Sequence, residues 1–371
     1  MARPTTAEVS LSALKHNYRT LRSLLPGSTG ILAVVKAGGY GHGALAASRA
    51  FLAEGARMLA VATLEEGLEL REGGIEAPVL VLGEIPEGRG RDALRARLAA
   101  TLFHDGQFRH LAEAARAEGI PFPVHVKFDT GMGRLGWFPS RAGEVLDRIA
   151  STPGLLVAGV MTHLSCADGL SPEDESYTEG QLSAFSALAA AARGRFGPSV
   201  AAHALNSAGI LRFSSEGHDL ARPGILLYGS FPAEGVGEGM GFRSAMRLTT
   251  RVVALKELPP GHPVSYGRTW SRPYRATVAV VPIGYADGYR RAFSSAAWMG
   301  VRGQEAPVAG RVCMDTTMID VTGIEGVEAG TEVVVMGEGG PSADELAVVA
   351  GTIPYEILTQ VGRRVPRVTV D

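Results

Sequence analysis

Three features of this 371-residue sequence predict an α/β fold: a closed (β/α)8 barrel of the TIM type, followed by a mainly β C-terminal domain. Eight short apolar runs come first, separated by amphipathic or alanine-rich stretches, which is the pattern of parallel βα units. A glycine-rich connector, Pro232–Phe242, then breaks the alternation. Beyond it the chain is Val- and Thr-rich with Gly and Pro turns, as in an all-β unit. An open doubly wound sheet is the competing architecture for the first part. Domain limits are expected at 1–235 and 236–371.

The first run, Ile31–Lys36, is continuous aliphatic sequence ending in a lysine, as in a strand buried on both faces. The other seven strands are expected at Met58–Thr63, Pro78–Gly83, Thr101–His104, Pro123–Thr130, Gly154–His163, Ala201–Asn206 and Leu220–Tyr228. Helical stretches between them include Gly43–Gly55, Gln107–Gly119, Ser140–Ser151 and Glu175–Arg195. In the second domain strands are expected at Met246–Leu255, Ala276–Pro282, Gln304–Gly310, Met318–Val321 and Thr331–Met336, with one short helix after Ser342.

Composition narrows the function. A net charge of −2 without a basic cluster argues against a nucleic-acid partner. Cys166 and Cys313, the only cysteines, form no disulfide framework, and no Cys/His spacing suits a metal. No apolar run approaches the ~20 residues of a membrane span, and the N-terminus lacks a secretory h-region. The expectation is a cytoplasmic protein.

Barrels of this kind carry their active sites at the C-terminal ends of the strands. Those ends offer Lys36 on the first strand, Arg134 just beyond the fifth and His163 on the sixth. The seventh offers Asn206 and Ser207, and Arg222-Pro-Gly-Ile225 lies within the expected eighth. Taken alone, a strand-end lysine reads as one snorkelling to solvent. At the rim of an apolar core, desolvation instead makes it a better nucleophile toward a carbonyl. The seventh and eighth strands are where such barrels commonly hold phosphate. Ser207 would open a helix there, and Gly224 would admit close backbone approach. A barrel-end lysine facing a phosphate site suggests pyridoxal 5′-phosphate held as a Schiff base, with Arg222 on its pyridine nitrogen. Gly131-Met-Gly-Arg-Leu-Gly136 matches a dinucleotide-binding pattern, but the acid that would hold a ribose is missing: the next strand ends in Thr162-His163.

At this point the sequence resembles the alanine racemases, pyridoxal phosphate enzymes of fold type III, essentially from end to end. The matching blocks are Arg3-Pro-Thr, Ala33-Val-Val-Lys-Ala37, Tyr40-Gly-His-Gly43 and Lys127-Phe-Asp-Thr-Gly-Met-Gly-Arg-Leu-Gly136. Thr162-His163, Asn206-Ser207, Arg222-Pro-Gly-Ile225 and Tyr228-Gly229 continue the match. Ile283-Gly-Tyr-Ala-Asp-Gly288, Gly310-Arg-Val-Cys-Met-Asp315, Pro354-Tyr-Glu356 and Arg364-Val-Pro-Arg367 complete it. One departure is Gly38-Gly39, where the family usually has Asn-Ala; the pair is expected to loosen the lysine's turn.

The resemblance implies a two-base racemisation of alanine that supplies D-alanine for peptidoglycan, with Lys36 as one base and Tyr285 as the other. It places His163, backed by Arg222, behind the tyrosine. It assigns the phosphate to Tyr40, Ser207, Gly224, Ile225 and Tyr355, and the substrate carboxylate to Arg134 and the Met314 N–H. Cys313 and Asp315 are supporting residues. Lys127, close to Arg134, is a candidate carbamate, since an ammonium there would repel the guanidinium. A head-to-tail homodimer would let each β domain cap the partner's barrel. A racemase of broader range, acting on serine for example, stays open, because one side-chain group changes binding by only ~1–3 kcal/mol.

Overall fold

Strand β2, Gly30–Val34, is buried at every position, the state its unbroken aliphatic sequence predicts for a parallel strand covered on both faces. The structure, a computed structural model, describes residues 3–371. β1 is Thr6–Ser10, and after β2 come β3 (Met58–Val61), β4 (Val79–Val81), β5 (Leu98–Leu102) and β6 (Phe122–Lys127). β7 is Leu155–Met161, β8 Ala201–His203 and β9 Leu220–Ala221. β2 to β9 form one sheet in the order β8-β7-β6-β5-β4-β3-β2-β9, every pairing parallel. Between its end strands, the Asp219 N–H donates to Ala202 O at 3.1 Å and the Arg222 N–H to Leu205 O at 2.8 Å. These bonds bring the sheet round into a near-closed barrel, as the alternation predicted.

Helices form where the sequence caps them. Ser10 accepts from the Ala13 N–H to open Leu11–Leu24, a helix the sequence reading passed over. Thr63 and Glu66 form a capping box at Leu64–Glu72. Ser171 caps Pro172–Phe196, which has three acids in its first turn and two arginines in its last, matching the helix dipole at both ends.

The remaining strands are β10 (Met246–Arg251), β11 (Ala254–Leu258), β12 (Ala276–Val281), β13 (Trp298–Val301), β14 (Gln304–Pro307), β15 (Thr317–Asp320), β16 (Glu332–Met336) and β17 (Arg367–Val370). They make a three-stranded sheet, β11-β12-β15, and part of a six-stranded one, β14-β13-β16-β10-β1-β17. The expected single strand Met246–Leu255 is two strands in two sheets. At the switch, the Val252 N–H bonds Thr331 O while the Val253 N–H bonds Val280 O. β1 also departs from expectation. Although it precedes the barrel in sequence, it lies between β10 and β17 in the second unit's sheet. Ser342 starts two short helices rather than one, Ala343–Ala350 and Pro354–Thr359.

Candidate active site

Two strand ends differ from expectation in ways that shape the site. β2 stops at Val34, so Lys36 opens the turn Lys36–Tyr40 instead of ending the strand. Ala37, Gly38, Gly39 and Tyr40 all have left-handed φ, between 51° and 64°. The two glycines thus occupy positions where a side chain is strained, and they fit the turn's geometry rather than merely loosening it. Glu66 locks the turn from outside, its carboxylate accepting the N–H groups of Ala37 at 2.6 Å and Ala62 at 2.7 Å. The capping-box spacing reveals Glu66 in the sequence; its reach to Ala37 is not legible there.

The expected eighth strand is only two residues long. Pro223 has no N–H to continue a ladder, and Ile225–Tyr228 coils into a 3-10 turn. Arg222 therefore sits just past the strand end. Gly224 is needed as glycine, because a Cβ would lie 2.2 Å from Tyr40 Oη. Its N–H donates to Ser207 Oγ at 2.9 Å, leaving that hydroxyl's own proton free to donate elsewhere. Ser207 opens the helix Ser207–Arg212, as expected, with Asn206 as N-cap accepting from the Gly209 N–H at 2.8 Å.

These residues meet in one cavity of about 400 Å³ at the barrel's C-terminal end. Lys36, Tyr40, Lys127, Arg134, His163, Asn206, Ser207, Arg222, Gly224, Ile225 and Tyr355 all line it. The Tyr40 and Tyr355 rings lie 6.1 Å apart, and neither hydroxyl has a hydrogen-bond partner among the described residues. Tyr285, Cys313, Met314 and Asp315 do not line this cavity. They cluster on the β unit, where the Tyr285 N–H donates to Cys313 O at 3.1 Å and the Ala286 N–H to Met314 O at 3.0 Å. Tyr285 and Met314 are 43% and 53% exposed, high for an aromatic and a thioether side chain.

The cavity is strongly cationic. Burial and the neighbouring Arg134 lower the pKa of Lys36. Burial, with Arg222 and Arg134 nearby, brings Lys127 down to about 8. Arg222 is buried, and its guanidinium is shared among five acceptors. Nη1 donates to His203 Nδ1 at 2.9 Å and His203 O at 2.6 Å. Nη2 donates to Thr162 O at 2.7 Å, Ala204 O at 3.0 Å and His163 Nδ1 at 3.3 Å. Its Nε has no partner among the described residues and is left for the cavity. Burial and then Arg222 push His163 and His203 well below the usual histidine range, so both are neutral. With Nδ1 accepting, each carries its proton on Nε2. The His203 Nε2–H donates to His125 Nδ1 at 2.7 Å, a buried pair that Gly159 accommodates: a Cβ there would lie 2.4 Å from the His125 ring. Neither His125 nor His203 was singled out from the sequence. The available signal was a polar residue inside an otherwise apolar strand.

The G-x-G-x-x-G segment is not a phosphate cradle. Its N–H groups turn inward on the Asp129 carboxylate, which accepts from Gly131 and Gly133 at 3.0 Å and Arg134 at 2.8 Å. Burial would raise the Asp129 pKa, yet these backbone donors hold it below its ordinary value. The loop's function is to set Arg134 at the cavity.

Comparison with known proteins agrees with this architecture. The family model for the alanine racemase N-terminal domain matches residues 9–232, and that for the C-terminal domain matches residues 245–369. The chain is 42% identical to an alanine racemase of Geobacter sulfurreducens, covering 100% of this chain and 98% of the relative. It is 40% identical to that of Desulforamulus reducens, with 100% of both chains covered. Among solved structures, the alanine racemase of Streptomyces lavendulae superposes with a TM-score of 0.94 at 34% identity, covering 100% of this chain and 98% of that one. The alanine racemase of Streptomyces coelicolor gives 0.93 at 37%, covering 99% and 98%. With its barrel, its β unit and its full length all accounted for, the chain belongs to the alanine racemase family and is an amino-acid racemase, an isomerase.

Proposed function

We propose that this chain interconverts L- and D-alanine with pyridoxal 5′-phosphate bound in the barrel cavity, as a head-to-tail homodimer, and so supplies D-alanine for peptidoglycan. The observation that carries the reading is the cavity itself. One desolvated amine, Lys36, shares it with Arg222 Nε and the hydroxyls of Tyr40 and Tyr355, polar groups that lack a protein partner among the described residues. That donor set fits the cofactor. Tyr40, Ser207, Tyr355 and the N–H groups at Gly224 and Ile225 would hold the phosphate, and Arg222 Nε would donate to the pyridine nitrogen. When bound, the cofactor supplies an electron sink that acidifies the Cα–H of an attached amino acid. Because arginine stays protonated, Arg222 would donate a hydrogen bond to the pyridine nitrogen rather than accept a proton from it.

Everything else falls to the chain. Lys36 Nζ takes or returns the Cα proton on one face. Tyr285 Oη, supplied by the partner, does the same on the other, since inversion needs a base on each side within ~3 Å. The His163 Nε2–H is the donor available to steady the phenolate, with Arg222 fixing its ring. Arg134 and the partner's Met314 would hold the substrate carboxylate. A carbamate on Lys127 would supply the anion that Arg134 otherwise lacks, because its guanidinium has no hydrogen-bond partner among the described residues. Tyr285 and Met314 are exposed on a part of the β unit that does not line this chain's own cavity, although Tyr355 of the same unit does, and this supports the dimer. No helix among the described residues is long and apolar enough to cross a membrane, and both cysteines are free, which suits a cytoplasmic setting.

The test is borohydride reduction of the loaded protein followed by peptide mapping, with polarimetry on several L-amino acids. The pyridoxyl label is expected on Lys36, with loss of rotation fastest for alanine. A label on another lysine would overturn the assignment.

A further inference from the structure

We infer that Arg3 is a positioning residue for Tyr285: the N-terminal arm of the chain fixes the loop that carries the second base. The inference rests on the reading of Tyr285 as that base. Nη1 and Nη2 of Arg3 each meet one carboxylate oxygen of Asp287 at 2.5 Å, fork to fork, and Nη2 also donates to Pro282 O at 2.5 Å. One guanidinium therefore grips both ends of the segment Pro282–Asp287. Tyr285 lies between the two grips, at the start of the 3-10 turn Tyr285–Asp287.

The Asp287 side chain is wholly buried and has few other partners. The Gly284 N–H donates to it at 3.0 Å, and Arg364 approaches at 3.4 Å while making its closer contact, 2.8 Å, with Asp315. Removing Arg3 would leave a buried carboxylate underpartnered. Such a group draws in water or moves, and the turn moves with it. Within its own chain Tyr285 has little packing to resist, being 43% exposed there. The arm itself is held in register. Thr5 Oγ1 donates to Pro282 O at 2.9 Å, lies 2.9 Å from Thr250 Oγ1, and leads directly into β1. Lysine could not substitute fully, because a single ammonium does not span two carboxylate oxygens and a carbonyl in one plane.

The experiment compares full-length, cofactor-loaded wild type with Arg3→Ala, Arg3→Lys and Tyr285→Phe. It reads amide exchange in the peptide covering 283–289, steady-state racemisation, and the isotope effect with α-deuterated L- and D-alanine. Because the equilibrium between enantiomers is fixed, kcat/KM must fall equally in both directions. The isotope effect is what shows which proton transfer has slowed. Arg3→Ala should exchange faster at 283–289 but not in peptides of the barrel cavity. Its kcat should fall about 10- to 100-fold, the scale of a small misplacement of a catalytic group. The isotope effect should grow for one enantiomer only, and Arg3→Lys should lie between. If Arg3→Ala does not fold, Arg3→Lys is read by the same criteria. An unchanged kcat, or isotope effects that change equally for both enantiomers, would overturn the inference. Tyr285→Phe separates the two claims. Wild-type racemisation by that variant refutes the second-base reading. Its inactivity, alongside Arg3 variants that behave as wild type, refutes the role of Arg3 alone.

Discussion

Arg222 donates through Nη2 to His163 Nδ1 at 3.3 Å, and this bond decides which nitrogen of the imidazole faces the cavity with a proton. The ring must be neutral to accept there, and burial beside the same arginine keeps it so. Nitrogen-resolved NMR should accordingly show His163 protonated on Nε2 alone, without titrating through the ordinary histidine range near ~6.5. A doubly protonated ring at neutral pH would contradict this account of the site.

Arg222→Lys should be damaging despite conserving charge. One ammonium cannot replace a fork serving Thr162 O, Ala204 O, both His203 acceptors and His163. Several buried acceptors would be left unpaired, a loss of about 3 kcal/mol on the scale of broken buried pairs. Urea denaturation measures that loss. Racemisation should fall by roughly 100-fold, as when an aligned donor is removed from an active site.

Lys127 predicts a dependence on pH and carbon dioxide. Its pKa falls from 10.5 to about 8, so between those values the unfolded chain binds more protons than the folded one. Stability therefore rises with pH across this window, by at most about 3 kcal/mol from this residue. The penalty is present in full below pH 8 and is gone above the unfolded pKa. Near pH 8 the neutral amine adds to carbon dioxide, releasing a proton and leaving a carbamate. Added bicarbonate should then raise both melting temperature and kcat/KM of the wild type. Lys127→Ala should show neither response, with kcat/KM roughly ten-fold lower.

Gly38→Ala isolates the backbone of the lysine's turn. The position has φ of +62° and nothing within 4 Å of an added Cβ, so the change introduces conformational strain without a clash. A loss of about 1 kcal/mol in chemical denaturation is expected. A stabilised variant would show that the turn is not left-handed in solution.

Subunit mixing tests the shared site. Lys36→Ala and Tyr285→Ala should each be nearly inactive. After exchange, the mixed dimer would hold one intact site, restoring roughly a quarter to a half of wild-type activity. No recovery despite proven exchange would mean that each chain supplies both bases to one cavity.

Much of this site was legible because it depends on strand order. Apolar runs fix the barrel, and the barrel fixes which loops share a rim, so Lys36, His163, Ser207 and Arg222 could be brought together from sequence alone. What escaped depends on chain geometry or on long-range reach. The left-handed turn at Ala37–Tyr40 gives no apolar periodicity, only a glycine pair. Pro223 shortened β9, although the apolar pattern continued through it. Glu66 and Arg3 act on partners 29 and 284 residues away. Tyr285, Cys313 and Met314 entered only through the resemblance, and the backbone bonds that hold the Tyr285–Ala286 turn against Cys313 and Met314 escaped it, since no local pattern links segments so far apart in sequence.

β1 lies between β10 and β17, and this makes the protein hard to divide. Cutting the polypeptide at the connector would yield a barrel fragment trailing a strand with no sheet to join. The β fragment would have a gap where its neighbour belongs. During synthesis the barrel strands all leave the ribosome before β10 does, so Thr6–Ser10 must wait, unpaired, for most of translation. Completion of the six-stranded sheet then depends on β17, Arg367–Val370, which pairs with β1. The loss of Arg367–Val370 would be felt more than 350 residues away in sequence, at Thr6–Ser10, the strand it pairs with.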